Sequence, residues 1–405
     1  MKKVRISVTL FVYPILQKIG GFYNMAQVYE KQGSWAYRVF YYENGKRRSK
    51  NKQGFKSAKE ATIHANALEM KLYQGADIGR NDILFVDYLE QWFAVYKVGK
   101  HTLVTESRYP LIVGVIKKYF GKRKLREVTK TEYQKFLNDY TNRKGESREG
   151  KRSKTTVRKL HGYIASMAQT AIDDQIIYSD FTHNAVIDGA DGKKESDKFM
   201  QVDDLSKLKQ LVIDELDFKK TGKYIILTGI LTGARYSEIV GLTWDDIDFT
   251  NKKINIDKTW DYKFYTGFNP TKTKASIRTV DVTDELLNPL RHLKTEQAEH
   301  FLKIGYRDEY NLVFRNNRRE IPSNSAANKL LKSLENRLNF NQSYTFHSLR
   351  HSHVSYLLSK GVDIFYISKR IGHSDVTTTE KVYSHLLDST SKIETSKALK
   401  ALNDL

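Results

Sequence analysis

Arg235, Lys272, His347, Arg350, His373 and Tyr383 follow one another along the second half of the chain, in the contexts TGARYSEIVGL, NPTKTKASIRTV, HSLR, IGHSD and KVYSHL. Arg235 comes just after Gly233, where a helix is expected to begin. There a forked guanidinium and outward-pointing backbone amides both suit phosphate oxygens. His347 and Arg350 are three residues apart, so a helix presents an imidazole and a guanidinium on one face to the same phosphate. A lone arginine is more often a surface charge, and an isolated H-x-x-R is a weak signal; each gains weight from the other. Two arginines on the non-bridging oxygens would neutralise charge building in a pentacoordinate transition state. Nucleases often give that task to metal ions, so the pattern calls for no metal and no other cofactor. Tyr383 would attack phosphorus and keep the bond energy in a phosphotyrosine, so no ATP is called for either. Its phenol, with an ordinary pKa near ~10, needs help at neutral pH, and His347 is the candidate base.

Competing chemistries are weaker. His347, His351 and His353 suggest a metal cluster, but Ser348 stands where an H-E-x-x-H zinc motif needs its glutamate. Asp245, Asp246 and Asp248 suggest magnesium ligands, yet one acidic turn without a distant carboxylate partner reads as a solvated turn. Tyr236 and Tyr366 lie near the motifs in helical settings that suggest packing.

Elements that could hold these residues are legible around them. From Phe199 onward, helical runs flank a strand-rich island between Lys253 and Val282, giving a mainly helical catalytic domain, 199–388, with a small inserted β-sheet. Ahead of it, the Gly-rich, charged stretch 188–198 has the composition of an exposed linker. Residues 81–187 read as an all-α bundle in which Phe85, Leu89, Trp92, Phe93 and Tyr96 repeat on one apolar face and Thr129 with Glu132 forms a capping box. Lys151, Arg152, Lys154, Arg158 and Lys159 cluster at the start of its last long helix, a surface able to grip a DNA backbone. Residues 26–80 read as a small α+β domain. Strand-like runs Ala26–Lys31 and Ser34–Glu43 are followed by a turn at Asn44-Gly45 and a third strand carrying Lys46, Arg47, Arg48, Lys50 and Lys52; Ser57 with Glu60 then opens a helix. Such a sheet can enter a DNA major groove, whereas the plainer reading of its lysines is a guarded edge strand. Residues 1–25 read as a leader, either an upstream extension or a disordered segment.

Composition agrees. Lys and Arg outnumber Asp and Glu by 68 to 47 over 405 residues, a net charge of +21 that favours a polyanionic partner, double-stranded DNA first. With no cysteine, a disulfide framework, a thiolate zinc site and a cysteine nucleophile are excluded, which fits a reducing cytoplasm. No run approaches the ~20 apolar residues that span a bilayer, so no membrane partner is expected.

The order of these motifs resembles the tyrosine recombinase, or phage integrase, family across residues 199–390, and the tripartite layout extends the likeness over nearly the whole chain. The resemblance implies a site-specific integrase of a phage or integrative mobile element, which cleaves and rejoins DNA through a 3′-phosphotyrosine. It makes residues 26–80 an arm-type DNA-binding domain and 81–187 a core-binding domain that closes on DNA with the catalytic domain as a C-shaped clamp. It places Lys272, with Lys274 as a close competitor, in a mobile lysine loop that protonates the departing 5′ oxygen, and it makes His373 a hydrogen-bond donor to the phosphate. Ile393, Leu399, Leu402 and Leu405 fall on one side of a helix in the tail 389–405, which docks either on its own domain or, as the family suggests, on a neighbour in a DNA-bound homotetramer. A host DNA-bending protein and an excision factor are further partners consistent with the resemblance. Two rivals remain: a non-catalytic DNA-binding protein, against which Tyr383 argues, and a type IB topoisomerase-like relaxing enzyme, against which the N-terminal sheet and the tail argue.

Overall fold

The computed structural model describes residues 26–43, 46–73, 82–192, 195–377 and 379–380, with isolated positions beyond. Tyr383, Asn44-Gly45, the leader and the docking reading of the tail lie outside the described residues. Two compact units meet in sequence between Gly192 and Lys193.

The first unit opens with an antiparallel sheet, β1 (Gln27–Lys31), β2 (Ser34–Glu43) and β3 (Lys46–Phe55), in that spatial order. Helix α1 (Ala58–Tyr73) follows; Ser57 Oγ accepts from Glu60 N at 3.2 Å, which satisfies one of its orphan donors, and Glu60 Oε2 accepts from Lys56 N, just ahead of the cap, at 2.9 Å. Ala61 and Ala65 of α1 pack on Tyr37, Val39 and Phe55. The pleat decides what remains outside. Because Val39 pairs with Lys50, Tyr37 with Lys52 and Tyr41 with Arg48, those three cations share the helix-covered side of the sheet. Arg38, Phe40, Arg47, Ser49 and Asn51 lie on the other, open side. The basic run of β3 is therefore split between two faces and is not one basic face.

Among the described residues, five α-helices follow in this unit: α2 (Phe85–Tyr96), the single turn α3 (Leu103–Glu106), α4 (Tyr109–Phe120), α5 (Lys130–Thr141) and α6 (Lys154–Asp173). Their core gathers Phe85, Leu89, Trp92, Phe93, Ile116, Tyr133, Phe136 and Ile164. Tyr96, expected on the same apolar face, is instead 44% exposed, as it sits in the last residue of α2. The start of the expected linker is not free. Ala190 N donates to Arg152 O at 2.8 Å, Ala190 O accepts from Lys154 N at 3.0 Å, and a Cβ on Gly189 would lie 2.5 Å from Lys154 N. This close backbone approach is what the glycine supplies.

The second unit surrounds one largely apolar, buried helix, α8 (Gly222–Thr232), packed against α7 (Val202–Asp214), α10 (Asp284–Lys303), α11 (Asn324–Arg337) and α12 (Phe346–Ser359). After α8 come the one-turn α9 (Tyr236–Ile239), a sheet in the order β4 (Ile247–Asp248), β5 (Lys253–Ile256), β8 (Arg278–Asp281), and a separate hairpin of β6 (Lys258–Trp260) and β7 (Phe268–Pro270). Helix α13 (Ile364–Ile371) closes the described fold. Lys272 was expected in a hairpin turn, but β7 pairs with β6 and β8 with β5, so its loop crosses from one sheet to the other. Among the described residues no helix is long and apolar enough to cross a membrane.

Candidate active site

The site assembles at the C-terminal end of α8. Gly233 caps that helix in the left-handed conformation, φ +66°, and a Cβ there would meet His353 Cδ2 at 2.8 Å, so this turn requires glycine twice over. The turn delivers Arg235 to the N-cap of α9, where Glu238, one helical turn on, accepts from Arg235 N at 2.9 Å and from Arg235 Nη1 at 2.6 Å. Glu238 is 1% exposed and also accepts from Arg278 Nη2 at 3.0 Å. Burial opposes its charge, but Arg278 and Arg235 outweigh it and keep the carboxyl below the usual carboxylate range. One carboxylate thus holds two arginines. Arg235 Nη1 also donates to Ser276 Oγ at 3.2 Å and Nη2 to Gly372 O at 3.5 Å, joining the lysine loop and the residue before His373 to the same guanidinium.

Helix α12 supplies the second arm. Thr345 caps it reciprocally with Ser348, and Asn328 Oδ1 accepts from Phe346 N at 2.8 Å. His347 and Arg350 follow in its first turns. Arg350 is 3% exposed and donates through Nη1 to Gly233 O at 2.8 Å, which brings it to within two residues of Arg235. Burial, then Arg350 and Arg235, hold the His347 pKa below the ordinary imidazole range. His373 bonds through Nδ1 to Thr379 Oγ1 at 2.8 Å, and burial followed by Arg350 and Arg235 pushes its pKa down to about 4. Both rings are therefore neutral at pH 7: His347 can accept a proton, and His373 can give one hydrogen bond. Lys272 and Lys274 stand exposed in the loop whose Thr273 and Ser276 hydroxyls meet at 3.0 Å.

His353 is buried beneath Gly233 and bonded to Ile230 O, and no metal-holding cluster occurs among the described residues. Asp246 is not in a solvated turn. It caps Thr243 and binds Lys258 Nζ at 2.6 Å, while Asp248 caps the turn at Thr250 and Asn251. Tyr236 packs as expected, in T-shaped contact with Phe346, whereas Tyr366 is 51% exposed.

The basic cluster of α6 is also divided. Arg152 lies over the Tyr140 ring at 4.0 Å and bonds Tyr140 O and Glu146, so it ties a loop together inside the protein; Lys151 pairs with Asp188 at 2.7 Å. Lys154, Arg158 and Lys159 remain exposed. On the open side of the N-terminal sheet the Arg47 guanidinium lies 4.2 Å from the Phe40 ring centroid and Arg38 Nε donates to Asn51 Oδ1 at 3.0 Å. Sequence reasoning missed Glu238, Arg278 and Arg370. Only Glu238 carried a local signal, its three-residue spacing from Arg235; the others depend on pairings across the fold.

Comparisons with known proteins point one way. Residues 198–390 match the phage integrase family and residues 25–72 an arm DNA-binding domain. A tyrosine recombinase XerC-like protein of Caldanaerobacter subterraneus subsp. tengcongensis is 27% identical over 406 residues, covering 93% of this chain and 98% of the relative. The Tn1549 transposon integrase, solved with transposon right end DNA, shares the fold at a TM-score of 0.63 and 16% identity, covering 78% of this chain and 99% of that one. A lambda integrase tetramer bound to a Holliday junction shares it at 0.52 and 14%, covering 86% and 96%.

Proposed function

The chain belongs to the phage integrase family of tyrosine recombinases, DNA breaking and rejoining enzymes of site-specific recombination, and from that premise we propose how its own residues divide the work. The observation that carries the proposal is the meeting of Arg235, Arg350 and two neutral histidines at the end of α8. Arg235 and Arg350 bind the non-bridging oxygens of the scissile phosphate. Tyr383 Oη attacks phosphorus, passing its proton to His347, while the bond to the 5′ oxygen breaks and that oxygen takes a proton from Lys272. The product is a 3′-phosphotyrosine and a free 5′ hydroxyl, and attack by the 5′ hydroxyl of a partner strand reverses the step. His373 donates a hydrogen bond to the phosphate as charge builds.

Residues 26–80 take arm-type sites, the helical bundle 81–187 takes the core site with the catalytic domain 199–388, and four copies assemble on DNA to integrate or excise a mobile element. The tetrameric lambda neighbour supports the assembly, and the arm-domain match supports the first assignment. Within the sheet, the open-side Arg38 and Arg47 are better placed to enter a groove than Arg48, Lys50 and Lys52.

The test is covalent capture on a nicked attachment-site duplex in EDTA, wild type against Tyr383→Phe, read on a denaturing gel. An EDTA-resistant adduct lost in the variant is expected. Tight binding without any adduct would transfer the chain to the non-catalytic reading.

A further inference from the structure

Two side chains at the end of α8 have no task in the steps above. His353, on α12, is 6% exposed; its Nδ1 lies 2.9 Å from Ile230 O and its Nε2 lies 3.2 Å from Arg370 Nε. An arginine only donates, so Nε2 accepts, Nδ1 carries the proton, and the ring is neutral. Burial, then Arg370, push its pKa down to about 4, which agrees. Arg370, on α13, also donates through Nη1 to Asp281 O at 3.0 Å and through Nη2 to Leu231 O at 3.3 Å. Its carbonyl accepts from Arg278 Nε at 2.7 Å, and Arg278 is held by Glu238.

Three elements with reactive neighbours therefore converge on one guanidinium: the last turn of α8, which leads to Arg235; the end of β8, which follows the lysine loop; and α13, which leads to His373. Ile230 O and Leu231 O are orphan carbonyls at a helix C-terminus, where a cation and a ring N–H are well matched. We infer that Arg370, oriented by His353, is a positioning residue that sets Arg235 and His373 against the scissile phosphate. The inference rests on the role proposed for Arg235.

The test compares single-turnover cleavage of a core-site substrate carrying an ordinary phosphodiester with one carrying a neutral methylphosphonate at the scissile position. The neutral linkage has less charge to be stabilised, so it depends less on how Arg235 is aimed. Arg370→Gln should slow cleavage of the phosphodiester roughly 100-fold, the scale of a misplacement of about 1 Å, and of the methylphosphonate less than about 5-fold, with site affinity within about 2-fold of wild type. His353→Asn, which can keep the bond to Ile230 O but releases Arg370, should show the same pattern and is the variant read if Arg370→Gln does not bind its site. Equal slowing on both linkages, or none, overturns the inference. Arg235→Ala is the control: linkage dependence there but not in Arg370→Gln defeats the positioning role alone. Its absence in Arg235→Ala defeats the reading of Arg235 itself.

Discussion

Glu238 holds one negative charge between two guanidiniums in a place with almost no water, so removing it strands Arg278 rather than merely loosening Arg235. Breaking a buried pair from one side typically costs about 3–5 kcal/mol. Glu238→Gln should therefore lower the thermal midpoint by roughly 10 °C and slow adduct formation at a temperature where the variant is still folded, checked by calorimetry and denaturing gels. A midpoint within about 2 °C of wild type would mean the carboxylate is not the keystone described. His347 gives a second outcome. Its folded pKa lies below the ordinary imidazole value, so the ring stays unprotonated as pH falls from 8 to about 6.5 and is lost as a base only below that. A pH–rate profile of single-turnover cleavage should stay flat across that span, with its acid limb displaced downward. An acid limb centred at or above ~6.5 would remove His347 from the base role. At this scale the sequence made Arg235, His347, Arg350 and His373 visible because each sits in a recognisable local context. Arg278 and Arg370 were invisible because their partners are 40 and 139 residues away.

Helix ends determine where the reactive groups stand. Gly233→Ala meets both the left-handed backbone penalty, ~1–2 kcal/mol, and the His353 ring, so it should destabilise the catalytic domain by about 2–4 kcal/mol in urea titration. A loss under about 0.5 kcal/mol would show that the turn relaxes freely. The buried His353 makes the same unit acid-sensitive. In the unfolded chain it takes a proton near ~6.5 and in the folded chain only near about 4, so stability is complete above the first value and declines toward the second. His373 adds in the same direction. His353→Gln should flatten the decline between these limits, as followed by urea midpoints against pH. Capping residues at Ser57 and Thr129 were readable because caps are local. The crossing from β7 to β8 and the pinning of Ala190 were not, since strand pairing and backbone contacts between distant segments leave no local pattern.

For the molecule as a whole, a charge of +21 is a statement about DNA only where cations remain available, and the structure distinguishes exposed Lys154, Arg158 and Lys159 from the internally bonded Arg152. Replacing Arg38 and Arg47 together by Gln should weaken binding to an arm-type site and make the log–log salt slope shallower by up to about 2, leaving core-site cleavage unchanged. An equal loss from Lys50 and Lys52 would favour the helix-covered side. Composition marks the stretch 188–198 as a linker, and the two compact units divide inside it, at Gly192. The catalytic constellation has one more consequence, for the order in which the polypeptide is made. Arg235 leaves the ribosome before its partners at the end of α8, which arrive on α12 and α13; Arg350 reaches Gly233 across 117 residues. Such long-range closure comes late in folding. A chain interrupted before α12 carries Arg235 without Arg350, His347 or His373 beside it, so an unfinished product has no assembled grip on a phosphate and no means of nicking the DNA of the cell that is making it.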